Sequence, residues 1–236
     1  MSLSLKSVKM FMFSMFIAFV AFVAFPESKE ALLSNQNIES INIESSGSLG
    51  LYRDGVCHKT HPNETLISNE RSDWCSNIAK VKDDKNYNPW IQYSIKGKQM
   101  KIFKYSVRNG CCYYDCCCDE SGEIIKYDAH CCCRLYSYSL QASNDNKTWT
   151  VLHKVEKDGD FKFCETKTFE LKGKSSLFTY FRFVLDEEFP GCPKCMQINQ
   201  IELYGETISS IYSSFTDNDD EDESISIIGR IKKDEQ

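Results

Sequence analysis

Residues 135–155 read LYSYSLQASNDNKTWTVLHKV. The first half alternates: Tyr136, Tyr138, Leu140 and Ala142 fall on one face, with Ser137, Ser139 and Gln141 opposite. The second half lines up Trp149, Val151, His153 and Val155. Between them SNDN supplies turn residues. A hydrophobic period of two residues belongs to a strand, because successive side chains of an extended chain point to opposite faces. The stretch therefore predicts two strands joined through a turn.

The same period recurs on both sides. WIQYSI places Ile91, Tyr93 and Ile95 together, and KIFKYSV does so with Phe103, Tyr105 and Val107. TKTFEL is a shorter run, FTYFRFVL aligns Phe181, Phe183 and Leu185, and INQIELY closes the series. SINIE, residues 40–44, predicts an earlier short strand. No long amphipathic helix competes with these runs. Regularly spaced strands without intervening helices predict an all-β fold, an antiparallel sandwich or barrel.

The chain has 236 residues, of which 42% are hydrophobic and 26% charged, enough apolar material for a core. The run DNDDEDE, residues 217–223, accounts for the whole net charge of −6, so the rest of the chain is near neutral. A neutral body has no excess of basic side chains for neutralising phosphates, which argues against nucleic acid as a partner.

At the N-terminus Lys6 and Lys9 precede residues 10–25, MFMFSMFIAFVAFVAF, in which Ser14 alone is polar. This predicts a signal peptide or a signal-anchor over 1–25, attached to the membrane if uncleaved. Charge order sends the remainder across the membrane, so the protein is expected to be secreted or membrane-tethered and extracytoplasmic. Asn63-Glu64-Thr65 and Asn146-Lys147-Thr148 have the form of glycosylation acceptors. Residues 26–50 predict a linker or stalk, 51–205 the domain, and 206–236 an acidic, disordered tail with the hydrophobic N-terminal segment as the one helix.

The motif order resembles a discoidin domain, the coagulation-factor type C domain of the galactose-binding-like superfamily. The similar stretches are SDWCS (72–76), PWIQYSI (89–95), IFKYSVRNG (102–110), YSLQASNDNKTWTVL (138–152), YFRFVL (180–185) and INQIELYG (198–205), with HPNETLIS (61–68) at the entry. They cover residues 51–205. The chain departs from the pattern at Ser94, where an acidic residue is usual, and at Asn146, where glycine is usual. The resemblance implies an eight-stranded jelly-roll sandwich that binds glycans, anionic phospholipid surfaces or proteins through loops at one end. It implies structural positions for Trp74, Trp90 and Trp149. Some relatives hold a calcium near the entry stretch, which maps to Asn69 and Glu70. Arg108 and Asn109, ending a strand, and Tyr113 and Tyr114, on the following loop, are the expected ligand contacts.

Where the family has a short loop, this chain has residues 110–134, GCCYYDCCCDESGEIIKYDAHCCCR, holding eight of its thirteen cysteines. In an extended triplet the outer cysteines share a face and the middle one opposes them, so neighbours rarely bond each other. Residues 119–129 are long enough for the triplets to fold back as a hairpin. Cys111, Cys112, Cys116, Cys117, Cys118, Cys131, Cys132 and Cys133 then form disulfides across it or gather thiolates around zinc, with His130 as a nitrogen ligand. Cys192 and Cys195 have the spacing of half a zinc knuckle. Cys57 and Cys75 are positioned in sequence to staple the entry loop, and Cys164 to reach Cys192 or Cys195. For an exported chain disulfides are the ordinary outcome. An odd total leaves at least one thiol free, modified or paired between chains.

No enzyme constellation is present: there is no G-x-S-x-G, P-loop or H-E-x-x-H, and nothing sets a nucleophile beside an orienting base. The expected function is non-catalytic recognition of a surface glycan, lipid or protein. Two other readings stand beside it: a thiol-rich zinc or redox protein using the cysteine block, and an intracellular scaffold on a membrane anchor.

Overall fold

The structure, a computed structural model, describes residues 31–33, 39–67, 69, 71–78, 87–111, 116–119, 121–127, 130–131, 133–171 and 176–209. The apolar run 10–25 and the acidic tail lie outside the described residues.

The strands are β1 (Ile41–Ser45), β2 (Gly50–Arg53), β3 (Val56–Lys59), β4 (Trp74–Cys75), β5 (Trp90–Ile95), β6 (Lys98–Asn109) and β7 (Cys117–Cys118). They continue as β8 (Lys126–Tyr127), β9 (His130–Cys131), β10 (Ser137–Ser143), β11 (Thr150–Val155), β12 (Thr166–Glu170), β13 (Tyr180–Glu187) and β14 (Gln197–Ser209). A five-stranded sheet, β1-β5-β13-β10-β11, faces a four-stranded sheet, β12-β6-β14-β4. Every pairing is antiparallel. The all-β sandwich expected from the period-2 runs is the architecture observed, and each of those runs is a strand.

The core lies between the two sheets. Ile91, Tyr93, Tyr138, Leu140, Phe181, Phe183 and Leu185 enter it from the first, and Tyr105, Val107, Ile201 and Leu203 from the second. Tyr105 packs edge-on against Phe183 at 5.3 Å between centroids. Each such aromatic side chain removes a large apolar area from water.

The alternation breaks where one strand has an extra residue. Lys104 pairs with Tyr204 but Ile102 pairs with Gly205, so Phe103 is bulged. Met100 and Ile102 are consequently buried, and the inward positions before Tyr105 are theirs rather than Phe103's. In β11 Val151 pairs with Gln141 and His153 with Leu140, which leaves Leu152 as the extra residue. Leu152 packs on the core, while Val151 is 55% exposed. A bulge turns every side chain beyond it to the other face, which is why strict alternation misplaced these two.

Within the segment expected to be a stalk, Leu33 is buried in the core and β1 pairs along its length with β5. At the other end β14 extends to Ser209, beyond the boundary at 205. Trp74 is fully buried, with its indole N–H donating to Ser48 Oγ at 2.8 Å. Trp90 and Trp149 are only half-buried, and the Arg182 guanidinium lies over the Trp149 ring at 3.8 Å.

Against the sandwich lies a smaller sheet, β3-β2-β7. Its β2–β3 turn is Asp54-Gly55, both at positive φ (51° and 85°). Left-handed residues at both central positions match the twist of a two-residue hairpin, and Asp-Gly tolerates them.

Candidate functional site: the disulfide-bonded end

One end of the sandwich gathers the C-terminus of β6, the start of β10, the start of β14 and the 156–165 loop. Four disulfides join there: Cys57–Cys118, Cys75–Cys117, Cys111–Cys164 and Cys133–Cys195. Each links one cysteine of the 110–134 block to one outside it. These four bonds sew the block to the body, and Cys57, Cys75 and Cys164 find partners other than those expected. Cys117 and Cys118, adjacent on β7, bond to different strands, as alternation of side chains requires. Among the described residues the triplets do not pair with each other: Cys117 and Cys118 pair with Leu51 and Gly50 of β2, and Cys131 pairs with Lys126 in the small β8–β9 hairpin. Cys116 and Cys192 are also disulfide-bonded, and among the described residues no cysteine is free. Sulfurs joined in S–S bonds offer no thiolate to zinc. Four disulfides belong to an oxidising, extracytoplasmic compartment.

Beneath the block Asp73 is buried. Its carboxylate accepts the Cys111 backbone N–H at 2.6 Å, Gln197 Nε2 at 2.6 Å and Asn199 Nδ2 at 2.7 Å. This ties the entry stretch, the block and β14 at one point. Asn109 does similar work. It is fully buried, its Nδ2 donates to the Phe161 and Lys162 carbonyls, and its Oδ1 accepts from Leu135 N–H. Its carboxamide thus holds two loops together from a buried position.

Arg108 is half-buried on the outer face at the end of β6, and its Nε donates to the Cys164 carbonyl at 3.1 Å. Tyr113, Tyr114, Cys112, Cys132 and Glu70 lie outside the described residues. Asn69 uses both its oxygens internally: Oδ1 accepts from Arg71 N–H and its carbonyl from Asn199 Nδ2. Among the described residues no three His, Cys, Asp or Glu side chains are grouped to hold a metal. Asn63 and Asn146 are both exposed, Asn146 in a left-handed turn (φ 57°).

A cluster that sequence reasoning missed sits at this end. The Arg134 guanidinium lies 3.5 Å from the centroid of Phe189, and Tyr136 meets the same ring edge-on at 5.4 Å. All three side chains are half-buried. Arg134 Nη2 donates to the Gly159 carbonyl at 3.3 Å, its one hydrogen bond to described residues. Burial lowers the Arg134 pKa, and the nearby charge of Asp158 works against that. Asp158 is itself paired with Lys167 at 2.6 Å. The result is an oriented cation, stacked on an aromatic ring, with N–H donors left over for an incoming oxygen. Nothing in the local sequence marked it, because Phe189 is brought to Arg134 by the β13–β14 connection.

No family model and no curated protein matches the chain. Among solved structures it is similar to CpGH89CBM32-5 from Clostridium perfringens, in complex with GalNAc-β-1,3-galactose. That likeness has 12% identity and a TM-score of 0.47, covering 75% of this chain and 100% of that one. It is also similar to the family 32 CBM of C. perfringens NanJ in complex with galactose, with 8% identity and a TM-score of 0.43 over 71% and 96% of the two chains. A third is chitosan-binding module 1, derived from a chitosanase/glucanase of Paenibacillus sp. IK-5, with 13% identity and a TM-score of 0.45 over 75% and 99%. The fold assignment rests on the strand order and pairing described above, not on these distant likenesses.

Proposed function

We propose that this protein is an exported, non-catalytic recognition module of the galactose-binding-like type. It takes a surface glycan at the disulfide-bonded end of the sandwich. The observation that carries this is the Arg134–Phe189–Tyr136 cluster. Sugars present hydroxyl oxygens on rings with apolar C–H faces, and this cluster offers N–H donors beside aromatic edges. Arg108, at the same end, is a further candidate for a sugar hydroxyl, and Tyr113 and Tyr114 on the 110–134 block are candidates for stacking on a sugar ring. The order of discoidin-like motifs along the chain supports the same reading. Asn63 and Asn146 are proposed to carry glycans of their own. No covalent step is involved: binding uses side chains held in place by cross-links.

The test is a glycan array probed with oxidatively folded protein, with protein ligands and phospholipid vesicles as parallel arms. Binding to a glycan set, weakened roughly tenfold or more by Arg134→Ala, is expected from the loss of charge-assisted hydrogen bonds worth about 1.5–3 kcal/mol. Thermal unfolding of the variant should match that of the parent. No glycan signal from correctly folded protein, or an unaffected Arg134→Ala, overturns the proposal.

A further inference from the structure

Residues 31–33 enter the fold in a way that fixes which end faces the N-terminal segment. Ala31 bridges Tyr204 antiparallel, and Leu32 N–H donates to the Leu203 carbonyl at 2.7 Å. Leu33 is 2% exposed, so the chain is committed to the core by this point. Strand β14 starts at the disulfide-bonded end, where Gln197 pairs with Cys75, and finishes beside Lys98, where Ser209 pairs with it. A segment antiparallel to β14 runs the other way. The chain therefore comes in from the Lys98 side and travels towards the disulfides. The C-terminal segment leaves β14 from that same Lys98 side.

Distances make this restrictive. Six Cα steps separate Phe25 from Ala31 and span at most about 20 Å when fully extended. Ala31 is level with Tyr204, which pairs with Lys104, six residues along β6 from Lys98. Six strand residues also measure about 20 Å. The tether is no longer than the part of the sandwich that overhangs it. A membrane holding residues 10–25 then lies no farther from Ala31 than the β5–β6 turn does.

We infer that the β5–β6 turn rests on the membrane that holds residues 10–25, and that the disulfide-bonded end is presented away from it. The turn is Lys96-Gly97-Lys98, exposed throughout, with Gly97 at φ 67°. Neither lysine has an ion pair among the described residues. Ile208, 52% exposed, stands beside Gln99 at the same end. Ammonium groups with an apolar neighbour suit a headgroup surface. Glu206 pairs with Lys101 there and Asp145 lies on the neighbouring β10–β11 loop, so the charge is mixed and tether length is the deciding quantity. The inference does not depend on the glycan proposal, since it concerns the opposite end.

The experiment uses the full chain in phosphatidylcholine vesicles, with native lysines acetylated by a water-soluble reagent and quantified by mass spectrometry. Lys96 and Lys98 should label several-fold less than in detergent, while Lys157 and Lys162, near the disulfides, label equally in both. A flexible spacer of about 20 Gly/Ser residues between Glu30 and Ala31 adds roughly 25 Å of reach and should restore labelling at Lys96 and Lys98. Equal labelling throughout, protection at Lys157 and Lys162, protection that survives the spacer, or a mature chain lacking residues 10–25 would each overturn the inference.

Discussion

The carboxylate of Asp73 accepts the backbone N–H of Cys111 at 2.6 Å, with both residues buried. The bond joins the residue before β4 to the first cysteine of the 110–134 block. The same carboxylate accepts from Gln197 and Asn199 on β14. Replacing Asp73 by alanine leaves these donors without an acceptor, at about 1–3 kcal/mol for each buried group left unmade. Asp73→Ala is expected to lower stability by about 3 kcal/mol or more, read as a lower midpoint in urea. An unchanged midpoint would mean that the cluster is not a structural joint.

The four disulfides close long loops, with sequence separations of 61, 42, 53 and 62 residues. In the chain-entropy model each such closure is worth about 4 kcal/mol, with overlapping loops adding less than the sum. Cys133→Ala with Cys195→Ala should therefore drop the melting temperature by about 8–16 °C for a domain of this size. Peptide mapping of the native protein without reduction should recover Cys57 with Cys118 and Cys75 with Cys117. Recovery of Cys57 joined to Cys75 would refute the arrangement.

His153 Nδ1 lies 2.7 Å from the Tyr105 hydroxyl, and its ring is 4.9 Å from that of Phe169. Burial pushes the His153 pKa down and the Tyr105 pKa up, which favours the neutral imidazole beside a protonated phenol. A base with a depressed folded pKa is protonated more readily when unfolded, so stability falls as pH drops below the ordinary histidine value near 6.5. Asp186, raised chiefly by burial, acts in the opposite sense nearer its own range. The melting temperature should be lower at pH 5.5 than at 7.5, and His153→Gln should shrink the difference. A difference of the same size in that variant would locate the effect elsewhere.

Gly205 sits at the β14 register shift opposite Ile102. A Cβ there would overlap the Lys101 carbonyl oxygen, a backbone atom that cannot rotate away. Gly205→Ala should destabilise by about 1–3 kcal/mol or more, measured by urea unfolding. Gly55→Ala tests a different constraint: a Cβ meets nothing there, but φ is 85°. Its cost is limited to the left-handed backbone, about 1–2 kcal/mol.

The strand runs were legible because side-chain alternation is a local property. Residues 90–95 and 180–185 show in sequence the faces they present in the sandwich. The bulges at Phe103 and Leu152 were not legible, because an extra residue exists only relative to a partner strand. The Asp54-Gly55 hairpin did carry a readable turn signature, although its strands are too short to show a period. At the candidate site Arg108 was visible as a polar residue ending a strand. Asn109 looked equally available and is instead buried, since its carboxamide meets carbonyls more than fifty residues away.

The sequence by itself determined the all-β class, eight of the strands and the presence of a cysteine-dense insertion between β6 and β10. Each follows from the character of neighbouring residues along the chain. Only the tertiary structure decided what the insertion does. Its described disulfides run outward to Cys57, Cys75, Cys164 and Cys195, because pairing of the strands sets those residues beside the block. Disulfide choice depends on Cβ positions in space, and residues 42–62 apart acquire those positions only when the sheets have formed.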